Sequence, residues 1–181
     1  MTFELTRPLL AVLMLAAATA AGQAQTAQSP APGTPGGPTL LVQSRDWNAF
    51  TSAAGSAKTC YAIASPQKKE PATLDHGNVF FFVTTRLSDK IQNEPSFQVG
   101  YPFKEGSQVI IDIDGAKFTL FTKGDGAWVD GTAEEAKLIG AMRKGKQLLV
   151  QGTSRRGNAT NYAFSLAGIS GALDAVAKEC K

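Results

Sequence analysis

One histidine, two cysteines and a few clustered acids and bases are the residues of this chain with chemistry to offer. His76 lies in Asp75-His76-Gly77-Asn78, a run rich in turn-forming residues, with no base and orienting partner beside it in sequence. It reads as a solvent-facing turn residue without a catalytic role. Gly168-Ile169-Ser170-Gly171 has the wrong spacing for the strand-to-helix elbow that exposes a nucleophilic serine. Asp112 and Asp114 are followed at once by Gly115, and no ligating Glu closes a calcium loop, so they read as hairpin residues. Gly124-Asp125-Gly126 lacks the later glycine of a dinucleotide-binding loop and reads as a turn before Trp128. Zinc would need more His and Cys than remain if Cys60 and Cys180 pair. These readings predict no catalytic residue, no metal and no cofactor, and hence a protein that is not an enzyme.

Two groups of residues point to binding instead. Arg143, Lys144 and Lys146 at the end of a helix, with Arg155 and Arg156 in a hairpin loop, could converge on acidic lipid headgroups or an acidic partner. Compensation of the helix dipole and solubility account for the same residues locally. Val79-Phe80-Phe81-Phe82-Val83 places large side chains on both faces of one strand, where an antiparallel strand needs only one apolar face. Its second face is either covered by another element, the terminal helix being the candidate, or open as a contact surface at Phe80 and Phe82.

The elements that must hold these residues are short. Leu40 to Val42, Asp46 to Phe50 and Thr59 to Ala64 read as the first strands, and Pro66 to Gly77 as a charged, proline-bearing loop. Phe97 to Tyr101 is a further candidate strand. Val109 to Ile113 and Lys117 to Phe121 flank Asp114-Gly115, a pair that tolerates positive φ at both positions of a two-residue hairpin turn. Thr132-Ala133-Glu134-Glu135 has capping-box spacing and predicts a helix with Thr132 as its cap, Ala136, Leu138, Ile139 and Met142 as its buried face, and Gly145 as its stop. Gln147 to Ser154 and Ala159 to Leu166 read as two strands, and Leu173, Val176, Ala177 and Cys180 recur at helical spacing. The pattern predicts a mainly β domain over residues 39–181, a β-sandwich with one internal helix and one C-terminal helix.

The start of the chain has a different purpose. Arg7, an apolar core from Leu9 to Ala21 and small residues at Gly22 and Ala24 predict a cleavable signal peptide over residues 1–24. That core is shorter than the ~20 residues a spanning helix needs. Residues 25–38 are rich in proline and glycine and carry no large apolar side chain, which predicts a disordered tether. Export places both cysteines in an oxidising compartment, where a Cys60–Cys180 bond is expected in preference to two buried thiols. A net charge of +3 is too mild for a dedicated nucleic-acid binder, and no segment of the mature chain reads as spanning a bilayer.

Several motifs stand together between Leu41 and Cys180: Asp46-Trp47, Thr59-Cys60-Tyr61-Ala62 with Pro66 and Lys68-Lys69-Glu70-Pro71, and Gly100-Tyr101-Pro102 with Lys104-Glu105-Gly106. Phe121 through Trp128, Ala141 through Gly145, Gly152 through Gly157 and the terminal Cys180 complete the set. On these residues the chain, from about Leu41 to Cys180, resembles the invasion-associated locus B family of exported proteins from Gram-negative bacteria. Family members often carry a further cysteine shortly after the strand Trp, where this chain has Asn48, Ala49 and Phe50. The resemblance implies an immunoglobulin-like β-sandwich, a periplasmic location with outer-membrane association or secretion as further destinations, and a link in some members to host-cell invasion. It implies no enzymatic reaction. The expectation is therefore an envelope protein that binds another protein or an envelope component. The alternatives are a small periplasmic enzyme with an unrecognised site and a chaperone-like binder of apolar ligands.

Overall fold

The computed structural model describes residues 37–54 and 57–181, so the expected signal peptide and nearly all of the tether lie outside the described residues. The strands are β1 (Thr39–Ser44), β2 (Trp47–Ala54), β3 (Ala57–Ala64), β4 (Lys68–Glu70), β5 (Phe80–Arg86), β6 (Ile91–Gln98), β7 (Gln108–Ile113), β8 (Ala116–Lys123), β9 (Gly126–Val129), β10 (Gln147–Thr153) and β11 (Ala159–Ser165). Helix α1 (Thr132–Lys144) lies between β9 and β10, and helix α2 (Ile169–Glu179) ends the chain. All strands join one antiparallel sheet in the order β1-β2-β3-β5-β6-β9-β8-β7-β10-β11-β4.

Burial alternates along the strands with the period of two that a pleated strand imposes. In β5, Phe81, Val83 and Thr85 are buried while Phe80, Phe82 and Thr84 are only partly so. The inner residues meet across the molecule because the sheet folds over: Phe81 packs edge-on against Phe164 of β11 at 6.0 Å, and the Trp47 indole donates to the Ser165 carbonyl at 2.9 Å. The mainly β architecture with one internal and one terminal helix is the one expected, and its eleven strands form a single hydrogen-bonded sheet. Both helices bury their apolar sides in this core, α1 through Leu138 and Met142, α2 through Ile169, Ala172, Leu173 and Val176.

Local chemistry explains most boundaries. Asp114 and Gly115 both adopt positive φ, 50° and 95°, and Asp112 accepts the Gly115 amide at 2.8 Å and the Lys117 ammonium at 2.8 Å. Those donors hold the Asp112 carboxyl below its usual range, Lys117 foremost. Cys60 on β3 and Cys180 after α2 form the expected disulfide, with Cα atoms 6.0 Å apart, and the Lys58–Glu179 ion pair lies beside it. Gly168 sets the start of α2 with φ 95°, and a Cβ there would stand 1.9 Å from the Ser44 carbonyl oxygen, so only glycine lets β1 approach the helix.

Four expectations need correction. Thr132 is the first helical residue, not the cap: Gly131 occupies that position, and its carbonyl accepts the Glu134 and Glu135 amides without any side-chain cap. Ala136 is exposed, because the axis of α1 is turned so that Leu138 and Met142 point inward. The charged loop 66–77 contains β4, which pairs with β11 through Lys68, Lys69 and Glu70 and forms the edge of the sheet. Finally, α2 does not cover Phe80 and Phe82, because its apolar side lies within the core that also holds Phe81.

Candidate functional site

The loop before β5 and the β10–β11 loop border a cleft of about 340 Å³, lined by His76, Tyr101, Arg155, Arg156, Asn158 and Thr160 among others. Two glycines make its back wall possible. Gly77 and Gly100 pass so closely that a Cβ on Gly100 would sit 2.6 Å from the Gly77 Cα, and the Gly100 amide donates to the His76 carbonyl at 3.0 Å. Lys69 of β4 adds a bond from its ammonium to the Gly77 carbonyl at 2.9 Å. On the other side, Arg155 donates its amide to the Pro102 carbonyl at 2.9 Å, and the loop closes on itself through Ser154 and Asn158.

His76 is not the exposed turn residue that its neighbours suggest; it is 5% exposed. Its ring lies edge-on to Tyr162 at 5.3 Å and to Tyr101 at 6.4 Å. Nε2 stands 2.9 Å from the Pro71 carbonyl, which can only accept, so Nε2 donates there, and Nδ1 lies 2.8 Å from the Tyr162 hydroxyl. The Tyr162 hydroxyl lies 2.7 Å from that of Tyr101, which in turn lies 2.6 Å from Thr160 Oγ1, and Thr160 donates to the Gly152 carbonyl at 3.2 Å. Burial first, and then the Tyr101 hydroxyl, push the Tyr162 phenol far above its ordinary range, so it stays protonated. The floor of the cleft is thus a fixed chain of hydroxyls anchored on an imidazole whose two nitrogens are both engaged.

The rim is cationic. Neither Arg155 nor Arg156 makes an ion pair among the described residues, whereas Arg143 is paired with Asp174 of α2 at 2.9 Å. Strand β10 separates Lys144 and Lys146 from Arg155 and Arg156, and its seven residues span about 20 Å. The five basic residues therefore do not meet at one site: three flank the helix end and two stand over the cleft. Asp114 and Lys146 meet differently, the carboxylate accepting the Lys146 amide at 2.9 Å. Gly168-Ile169-Ser170-Gly171 starts α2, and among the described residues no group of three or more His, Cys, Asp and Glu could hold a metal ion.

Phe80 and Phe82 lie on the outer face of the sheet. Phe82 meets Phe80 at 5.8 Å and Tyr61 at 6.0 Å, and Tyr61 stacks on Phe50 at 5.6 Å. The sequence reading missed Tyr101, Tyr162 and Thr160, which only tertiary contact gathers around His76; the turn glycines on either side were the one available signal.

The fold and the cleft define a β-rich, disulfide-closed protein with a polar pocket at one end of its sheet. The family model described as Invasion associated locus B (IalB) protein matches residues 47–177, and the chain belongs to that family. No curated protein and no solved structure matches it. No described helix is long and apolar enough to cross a membrane.

Proposed function

We propose that this is an exported, periplasmic protein of the cell envelope that acts by binding and not by catalysis, receiving an anionic group of a protein or envelope component in the cleft under Arg155 and Arg156. The observation that carries this reading is the pair of unpaired guanidinium groups standing over a floor of fixed hydroxyls. A planar guanidinium can hold carboxylate or phosphate oxygens two at a time. Catalysis has less to work with, because His76 spends both nitrogens on Pro71 and Tyr162 and the Tyr162 phenol is held protonated. A part in host-cell invasion, where it exists, would follow from such binding.

Inorganic phosphate is a direct probe. His76 is the only histidine, so its ring proton resonances give an unambiguous reporter at the cleft. Saturable, salt-sensitive shifts are expected with the native protein, and their loss in Arg155→Ala/Arg156→Ala. Shifts that persist unchanged in the double variant, or a native protein that does not respond, refute the reading.

A further inference from the structure

The outer face of the sheet carries a row of side chains that the cleft does not use. Following the pairing from strand to strand, Ile63 faces Phe82, Phe82 faces Ser96, Ser96 faces Trp128, Trp128 faces Phe121, and Phe121 faces Gln108. This line crosses six neighbouring strands, and every member is aromatic, aliphatic or neutral and hydrogen-bonding. The flanking rows differ: Glu94 pairs with Thr84 on one side, and Lys123 pairs with Gly126 on the other.

The rings in the row reach solvent to different extents, Phe121 exposed and Phe82 and Trp128 half-buried. Phe121 is 47% exposed and lies 6.1 Å from Trp128 in a stacked arrangement. Trp128 is laid down on its own strand: a Cβ on Gly126, two residues earlier on the same face, would stand 2.2 Å from the indole. Glycine at that position is what lets the indole lie flat with its other face outward. Ser96 then separates Trp128 from Phe82 by two strand steps, about 10 Å. The buried side chains of both helices belong to the core on the other face of the sheet.

From this geometry we infer a second binding site, distinct from the cleft, that takes an uncharged glycan chain lying across the strands. Sugar rings offer apolar C–H faces for stacking on aromatic rings and hydroxyls around their edges for Ser96, Gln98 and Gln108. Absence of charge is the discriminating feature. A nucleic acid needs cations along its path, and a lipid surface needs a continuous apolar band with basic flanks. A protein interface as a rule centres on a contiguous apolar core; such a cluster, Phe50, Tyr61, Phe80 and Phe82, lies at the β3–β5 end of the row, and beyond it Ser96 separates the aromatic residues. Spaced, flat rings with neutral hydrogen-bonding side chains between them match an oligosaccharide.

The test uses tryptophan emission. Of the two tryptophans, Trp47 is fully buried in the core, so a ligand on the outer face is reported by Trp128 alone. Titration of the whole mature protein with N-acetylchitohexaose and with cellohexaose is expected to give a saturable change in emission with at least one of them. The response should vanish in Trp128→Ala, and affinity measured by calorimetry should fall about tenfold in Phe82→Ala. Arg155→Ala/Arg156→Ala should bind the glycan as the native protein does, which separates this site from the cleft. Circular dichroism and an intact Cys60–Cys180 bond establish that each variant is folded. Lack of binding to either oligosaccharide overturns the inference, as does binding that Trp128→Ala and Phe82→Ala leave unchanged. So does a dimer that these two substitutions dissociate without any glycan response, which would assign the row to a second copy of the chain.

Discussion

Replacing His76 by Ala should destabilise the protein, and the size of the effect follows from what the ring touches. The side chain is 5% exposed and makes two hydrogen bonds, at 2.8 and 2.9 Å. Neither partner is left bare, because the Pro71 carbonyl also accepts the Leu74 amide at 3.1 Å and Tyr162 keeps its contact with Tyr101 at 2.7 Å. Each lost bond therefore costs near the usual net value of about 1 kcal/mol, without a full desolvation penalty. The two edge-on aromatic contacts contribute about 0.5–1.5 kcal/mol each, and part of the vacated space remains as a cavity. Together these give roughly 3–5 kcal/mol. Equilibrium unfolding in urea is the assay: with a slope of about 2 kcal/mol per molar, the midpoint should fall by about 1.5–2.5 M at unchanged slope. A midpoint within about 0.25 M of the native value, as for an ordinary surface substitution, would refute the argument and return His76 to an exposed turn.

Reduction of the Cys60–Cys180 bond, whose partners are 120 residues apart, should cost about 4–5 kcal/mol and lower the melting temperature by about 10–20 °C; no change on adding reductant would remove the bond from the stability argument. The buried Tyr162 phenol, raised above its ordinary value, makes stability fully present below about pH 10 and progressively lost above it, because the unfolded chain gives up its proton first. Denaturation curves from pH 9 to 11.5 should show this extra alkaline loss, about 1.4 kcal/mol per pH unit, in the native protein and not in Tyr162→Phe; equal slopes in both would contradict it.

Local signals sufficed wherever neighbours in sequence do the chemistry. Asp114-Gly115 specifies its hairpin because both residues tolerate positive φ, and the alternating strands on either side need no distant partner to be read. The disulfide was legible for a different reason: the expected signal peptide implies an oxidising compartment, and only two cysteines were present to pair. The three-residue strand β4 was invisible, since Lys68-Lys69-Glu70 has neither β propensity nor alternation and becomes a strand only because β11 offers an edge. Thr132 looked like a helix cap, yet Gly131, with a backbone conformation open to glycine, took the position.

By itself, then, the sequence determined the mainly β class, the two helices and the residues free to bond. Tertiary structure alone decided which of them meet. Folding of the sheet brought Tyr162 to His76 across 86 positions, and β10 held Lys146 far from Arg155. Strand register set Phe82, Trp128 and Phe121 in one uncharged row. Each of these depends on separations in space between residues remote in the chain, and no pattern of neighbours encodes such a separation.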